Sequence, residues 1–95
     1  MKKSEISYGE AVNRRETNLN LSRAQKELIV KAILGKNGSL FSESGDSFEG
    51  YKPLKTTYKP YFFRIYGDTI AVMNPERKQK FYMAEELLKF AYRNR

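Results

Sequence analysis

The chain has 95 residues, 18 of them Lys or Arg against 11 Asp or Glu, and a formal net charge of +7. It contains no cysteine and no histidine, which excludes disulfides, thiolate zinc sites, a nucleophilic cysteine and every acid–base mechanism built on imidazole. A chain this short hides about two thirds of its unfolded surface on folding and builds one core, for which 40% hydrophobic and 14% aromatic residues supply the material.

No apolar run reaches the length of a membrane span or a signal-peptide core. Absence of cysteine fits a reducing compartment, so the expectation is a cytoplasmic, single-domain protein without membrane contact. The basic excess, with pI ≈ 9.7, is the electrostatic profile of a protein that meets phosphates or an acidic protein surface. The charge is uneven: residues 39–50 hold Glu43, Asp46 and Glu49 and no base, and every other stretch is net positive.

Residues 1–20 place Ile6, Tyr8, Ala11, Val12 and Leu19 irregularly around Gly9. They read as a flexible arm or as a short helix within Glu5 to Arg15, with Arg14 and Arg15 adjacent. In LSRAQKELIVKAILG, Ser22 and Gln25 have the spacing of a capping box, Leu28, Ile29, Ala32 and Ile33 follow the helical period, and Gly35 suits the end. This predicts a helix whose apolar stripe is half of the core. After it, Ser39 to Ser42 predicts a short strand, and residues 43–57 predict a mobile loop rich in Ser, Gly, Asp and Pro. Glu43, Asp46 and Glu49 match no calcium-loop spacing, so no metal site is assigned.

The segment KPYFFRIYGDTIAVM predicts a hairpin turning on Gly67-Asp68, a two-residue loop whose first position must tolerate positive φ. That turn sets Tyr66 against Thr69, Ile65 against Ile70, Arg64 against Ala71, Phe63 against Val72 and Phe62 against Met73. One face then carries Phe63, Ile65, Ile70 and Val72 with Tyr61 at its end. The other carries Phe62, Arg64, Tyr66, Thr69, Ala71 and Met73. A single helix from Asn74-Pro75 to the end would put Arg77 and Lys80 on its apolar side. A turn at Asn74 to Arg77, a third strand at Lys78 to Met83 and a helix at Ala84 to Arg93 make a better core. The expected fold is α+β: a small two-layer domain with a three-stranded antiparallel meander packed against two or three helices.

Aromatic rings beside cations on a sheet face are the means by which sheets bind single-stranded nucleic acid. Phe62, Arg64 and Tyr66 meet that description, with Tyr58 and Lys59 nearby, although the RNP1 pattern is missing. The competing reading has Phe62 and Met73 covered by the long loop or a chain end. A second candidate surface joins Arg77, Lys78 and Lys80 with Arg93 and Arg95 as phosphate contacts. A helix-turn-helix fits poorly because RRETNLN exceeds a tight turn. No catalytic residue and no cofactor is assigned. Asp68 and Glu76 fall at opposite ends of one strand, roughly 25 Å apart at about 3.3 Å per residue, too far to share a metal; a ribonuclease-like toxin stays a minor alternative. The expected function is a small nucleic-acid-binding accessory or regulatory protein. The alternative is a modulator or inhibitor docking on an acidic protein partner through the same Tyr and Arg surface. Monomer and homodimer both fit, since a free hairpin edge permits pairing without compelling it.

Overall fold

Two Gly-Asp pairs reverse the chain in the same way. Strands β4 (Tyr58–Tyr66) and β5 (Thr69–Met73) meet across Gly67-Asp68, in the register read from the sequence, from Tyr66 opposite Thr69 to Phe62 opposite Met73. Strands β2 (Ser39–Ser44) and β3 (Ser47–Pro53) meet across Gly45-Asp46. The glycines stand at φ 65° and 58°, where a Cβ is strained and glycine is not. The Asp46 carbonyl accepts a hydrogen bond from the Ile65 amide at 2.8 Å, and β3 pairs with β4 from Ser47 opposite Arg64 to Pro53 opposite Tyr58.

The computed structural model describes residues 5–14, 19–53 and 57–93. With β6 (Gln79–Met83) and the two-residue β1 (Glu5–Ile6), it forms a six-stranded antiparallel sheet in the order β1-β6-β5-β4-β3-β2. This corrects the three-stranded meander, although the α+β class stands. The stretch expected as a loop over residues 43–57 contains the end of β2 and all of β3. Its Ser, Glu and Gly residues have little strand propensity of their own. Pairing on both sides, with β2 and with β4, supplies what local propensity lacks.

Among the described residues three helices accompany the sheet: α1 (Tyr8–Asn13), α2 (Arg23–Leu34) and α3 (Ala84–Arg93). The capping box of α2 is present, with Ser22 Oγ accepting from the Gln25 amide at 3.1 Å and Gln25 Oε1 accepting from the Ser22 amide at 2.9 Å. At its other end Gly35 takes φ 95°, and Lys31 Nζ donates to the Gly38 carbonyl at 3.0 Å. Helices α2 and α3 cover one face of the sheet. Ile29, Val30 and Leu34 of α2 and Ala84 and Leu87 of α3 meet Phe48, Phe63, Ile65, Ile70, Val72 and Tyr82 in one buried cluster. Phe48 and Phe63, opposite each other in the register, stack at 5.0 Å.

The approach of α2 to the sheet depends on Gly50. A Cβ there would lie 2.7 Å from Val30 Cγ1 and 3.2 Å from the Phe63 ring, so the missing side chain is the space that Val30 occupies. The same helix holds the edge of the sheet by charge. Lys26, 7% exposed, donates from Nζ to Glu43 Oε1 at 2.7 Å, and Arg23 reaches Glu43 Oε2 at 2.9 Å. Hydrogen bonds from Lys26 and then Arg23 hold the Glu43 carboxyl below its ordinary value of 4.5.

Helix α1 crosses to the opposite face. Tyr8 packs on Phe81, which alternates with core-facing Tyr82, at 5.5 Å between ring centroids, and Ala11 is fully buried. Arg14 then closes on Asp68, Nη1 to Oδ2, at 2.8 Å.

Between β5 and β6 the chain turns through Asn74 to Lys78. The Arg77 amide bonds the Asn74 carbonyl at 2.9 Å and the Lys78 amide bonds Asn74 Oδ1 at 2.8 Å. Asn and Pro suit the first two positions of such a turn. Arg77, at φ 66°, is the non-glycine residue with positive φ among the described residues.

Gly50→Ala is expected to lower stability by about 1–3 kcal/mol through overpacking. In urea denaturation, Val30→Ala in that background is expected to cost less than the sum of the two single changes, because it removes the clash. Because the folded-state pKa of Glu43 is depressed, its pairing contributes fully above the ordinary value of 4.5 and is lost as the pH falls below it. Unfolding midpoints followed from neutral into acid are expected to fall less steeply in Glu43→Gln than in the parent chain.

Candidate nucleic-acid interface

The face of the sheet opposite α2 and α3 is divided. Toward β6 it lies under α1, and Thr69 at the turn is fully buried there. Toward β2 it is open, a shallow groove of ≈ 330 Å³ running over β2, β3, β4 and β5 between Phe62, Arg64, Glu49 and Met73. The long segment expected to cover Phe62 is itself β3, alongside the hairpin within the sheet. Phe62 is accordingly 46% exposed.

Arg64 stands between Ser47 on β3 and Ala71 on β5. Both neighbours are small and neither is charged, so the guanidinium is exposed and makes no ion pair among the described residues. Phe62 stands between Glu49 and Met73. Glu49 accepts a long hydrogen bond from Ser42 Oγ, 3.4 Å, and keeps acceptor capacity on the open face.

Phe41 belongs to this face, with no sign of it in the local sequence pattern. The pairing of β2 with β3 slips between Leu40 and Ser42, an irregularity that re-aims the extra residue. Leu40 packs toward the core cluster, and Phe41, 60% exposed, meets Tyr51 edge-on at 6.3 Å. The open face thus carries aromatic rings from β2, β3 and β4 and an arginine that makes no ion pair among the described residues.

Tyr66 does not extend this surface. It is half-buried at the turn end, opposite buried Thr69. Tyr58 begins β4 opposite Pro53, and only its backbone is described. Lys59 is exposed and lies 3.8 Å from Glu76.

The second set of predicted residues gathers elsewhere. Lys78 and Lys80 line a groove on the helix-covered side of the sheet, at the end away from the two Gly-Asp turns, together with Lys52 from β3. Lys52 was missed because nothing local links it to the others; the register from β3 through β4 and β5 to β6 brings it there. Arg77 projects from the adjoining turn. Arg93, exposed at the end of α3, lines neither groove, and Arg95 lies outside the described residues. Burial, and secondarily Glu5, pushes the Tyr82 hydroxyl up, so this side chain adds no negative charge at neutral pH.

Asp68 and Glu76 stand in different turns at the two ends of β5, each beside a cation: Asp68 by Arg14 and Glu76 by Lys59. No group of three or more metal-ligating side chains occurs among the described residues, and no helix among them is long and apolar enough to cross a membrane. Comparison with protein-family models, with curated proteins and with solved structures gave no match.

Proposed function

We propose that the protein binds single-stranded nucleic acid on the open face of its sheet, stacking bases on Phe62 and Phe41 beside Arg64 and drawing the phosphate backbone toward the basic end. The observation that carries this reading is the pairing of exposed rings with an exposed guanidinium, which makes no ion pair among the described residues, on the open face over β2 to β4. Base stacking on aromatic side chains contributes about 1–3 kcal/mol per base and tolerates any sequence. A guanidinium adds stacking and charge together.

Glu49, opposite Phe62, lines the same groove, whereas the Glu43 carboxylate is turned to the helix-covered side and held there by Lys26 and Arg23. The Glu49 carboxylate disfavours phosphates in its centre and offers acceptors to exocyclic amino groups of bases. Phosphates are favoured instead at the end of the sheet where Lys52, Lys59, Arg77, Lys78 and Lys80 are set against Glu76. A duplex hides its base faces, so it gains from the basic end and gains nothing from the rings.

Arg77 supports this assignment by its conformation. It holds a left-handed backbone at φ 66°, where glycine would be easier by about 1 kcal/mol. A basic side chain kept at a strained turn next to other bases is consistent with a contact made there.

In anisotropy titrations with labelled oligonucleotides, single strands are expected to bind more tightly than duplex, with affinity falling as salt rises. Phe62→Ala and Arg64→Ala are each expected to weaken single-strand binding about tenfold, and Arg93→Ala by less than about twofold. Equal small losses at all three positions, or no salt-dependent binding, would contradict the proposal. Arg77→Gly is expected to raise the unfolding free energy by about 1 kcal/mol and to reduce the salt slope of binding.

A further inference from the structure

On the helix-covered side of the sheet, three lysines line one groove. Lys52, Lys78 and Lys80 line a groove of ≈ 300 Å³ with Asn74 and the rings of Tyr61 and Tyr82. Among the described residues no carboxylate lines it, and none of the three ammonium groups makes an ion pair. Elsewhere the chain does pair its cations: Lys26, Arg23 and Arg14 all have carboxylate partners.

The surroundings favour an anion with an apolar body. Leu34 and Val72 of the core cluster line the groove beside Tyr61. In the loop after α2, Lys31 Nζ donates to the carbonyls of Lys36 and Gly38. Asn74 Oδ1 is engaged by the Lys78 amide, which leaves its amide nitrogen as a donor.

We infer that this groove is a phosphomonoester site, with Lys52, Lys78 and Lys80 on the phosphate oxygens and a nucleoside against Tyr61. A phosphomonoester carries a charge of about −1.5 to −2 near neutral pH and offers three strong acceptor oxygens, which match three point-charge donors. A phosphodiester offers less charge, and its chain must continue in both directions. The volume is at the lower end for ligand pockets, about 300–1,000 Å³, enough for a single nucleotide and not for a duplex. The ligand is therefore a free mononucleotide or the phosphorylated end of a strand. Arg64 and Phe62 lie on the opposite face, so filling this groove does not require stacking there.

Calorimetric titration of the full chain with adenosine 5′-monophosphate, with adenosine, and with ten-nucleotide single strands bearing either a phosphate or a hydroxyl at the 5′ end tests this. The monophosphate, or the phosphorylated strand over its hydroxyl twin, is expected to bind at least about tenfold more tightly, the factor for one charge-assisted hydrogen bond. Gain with the monophosphate alone identifies a free nucleotide as the ligand, and gain with the strand alone identifies a strand end. Lys52→Gln and Lys80→Gln are each expected to remove most of that preference, whereas Phe62→Ala and Arg64→Ala leave it intact. If the phosphate confers no preference in either pair of ligands, or if the preference survives both lysine changes, the groove is not a phosphomonoester site. Single-strand binding that still depends on Phe62 in that case leaves the sheet-face proposal standing; a phosphate preference without any Phe62-dependent binding overturns the sheet face alone.

Discussion

The structure depends on the two-residue turn at Gly67-Asp68. Gly67 holds φ 65°, which a side chain would strain, and its carbonyl accepts from the Leu19 amide at 3.0 Å, tying down the segment before α2. The Asp68 carbonyl accepts from the Ala84 amide at 3.0 Å, where α3 begins. Its carboxylate holds Arg14 at the end of α1. One dipeptide therefore sets the register of β4 on β5 and anchors the end of α1, the approach to α2 and the start of α3. Since successive side chains on a strand point to opposite faces, a slip of one residue would move Phe63 and Ile65 to the surface and bring Arg64 into the core.

From that register follows a division of labour between the two faces. One is closed by α2 and α3 over Phe63, Ile65, Ile70 and Val72. The other, among the described residues, is closed where α1 reaches it, through Tyr8 and Ala11. Charge follows a related division along the strands. Near the turns, Asp68 and Glu43 are matched by Arg14, Arg23 and Lys26. At the far end, Lys52, Arg77, Lys78 and Lys80 have no carboxylate partner among the described residues. A basic chain that neutralises one end of its sheet and leaves the other end charged presents a directed field, suited to orienting a polyanion across the open face.

Much of this was legible in the sequence because it is local. The Gly67-Asp68 turn and the alternation on either side of it gave the hairpin register; Ser22 and Gln25 gave the start of α2; the choice of a strand before Ala84 gave β6 and α3. Strand β3 was not legible. Its core of Phe48-Glu49-Gly50 reads as a loop, although Gly45-Asp46 before it is the same dipeptide that makes the better-flanked turn. What keeps β3 in place is long-range: Phe48 stacks on Phe63, and Gly50 is a glycine because Val30 needs the room. The site divides the same way. Arg64 and Phe62 follow from period-two alternation, whereas Phe41 is turned outward by an irregularity in pairing and Lys52 joins Lys78 and Lys80 only through the strand order.

The central claim is that the uncovered half of the second face is a working surface. Nuclear magnetic resonance of the isotope-labelled full chain, recorded as a short single-stranded oligonucleotide is added, addresses it residue by residue. The account predicts that signals of Phe41, Tyr51, Phe62 and Arg64 shift together, while Leu28, Ala32 and Phe90 between α2 and α3 stay in place. Shifts confined to the helical side, or no shifts on the sheet face at saturating oligonucleotide, would contradict it.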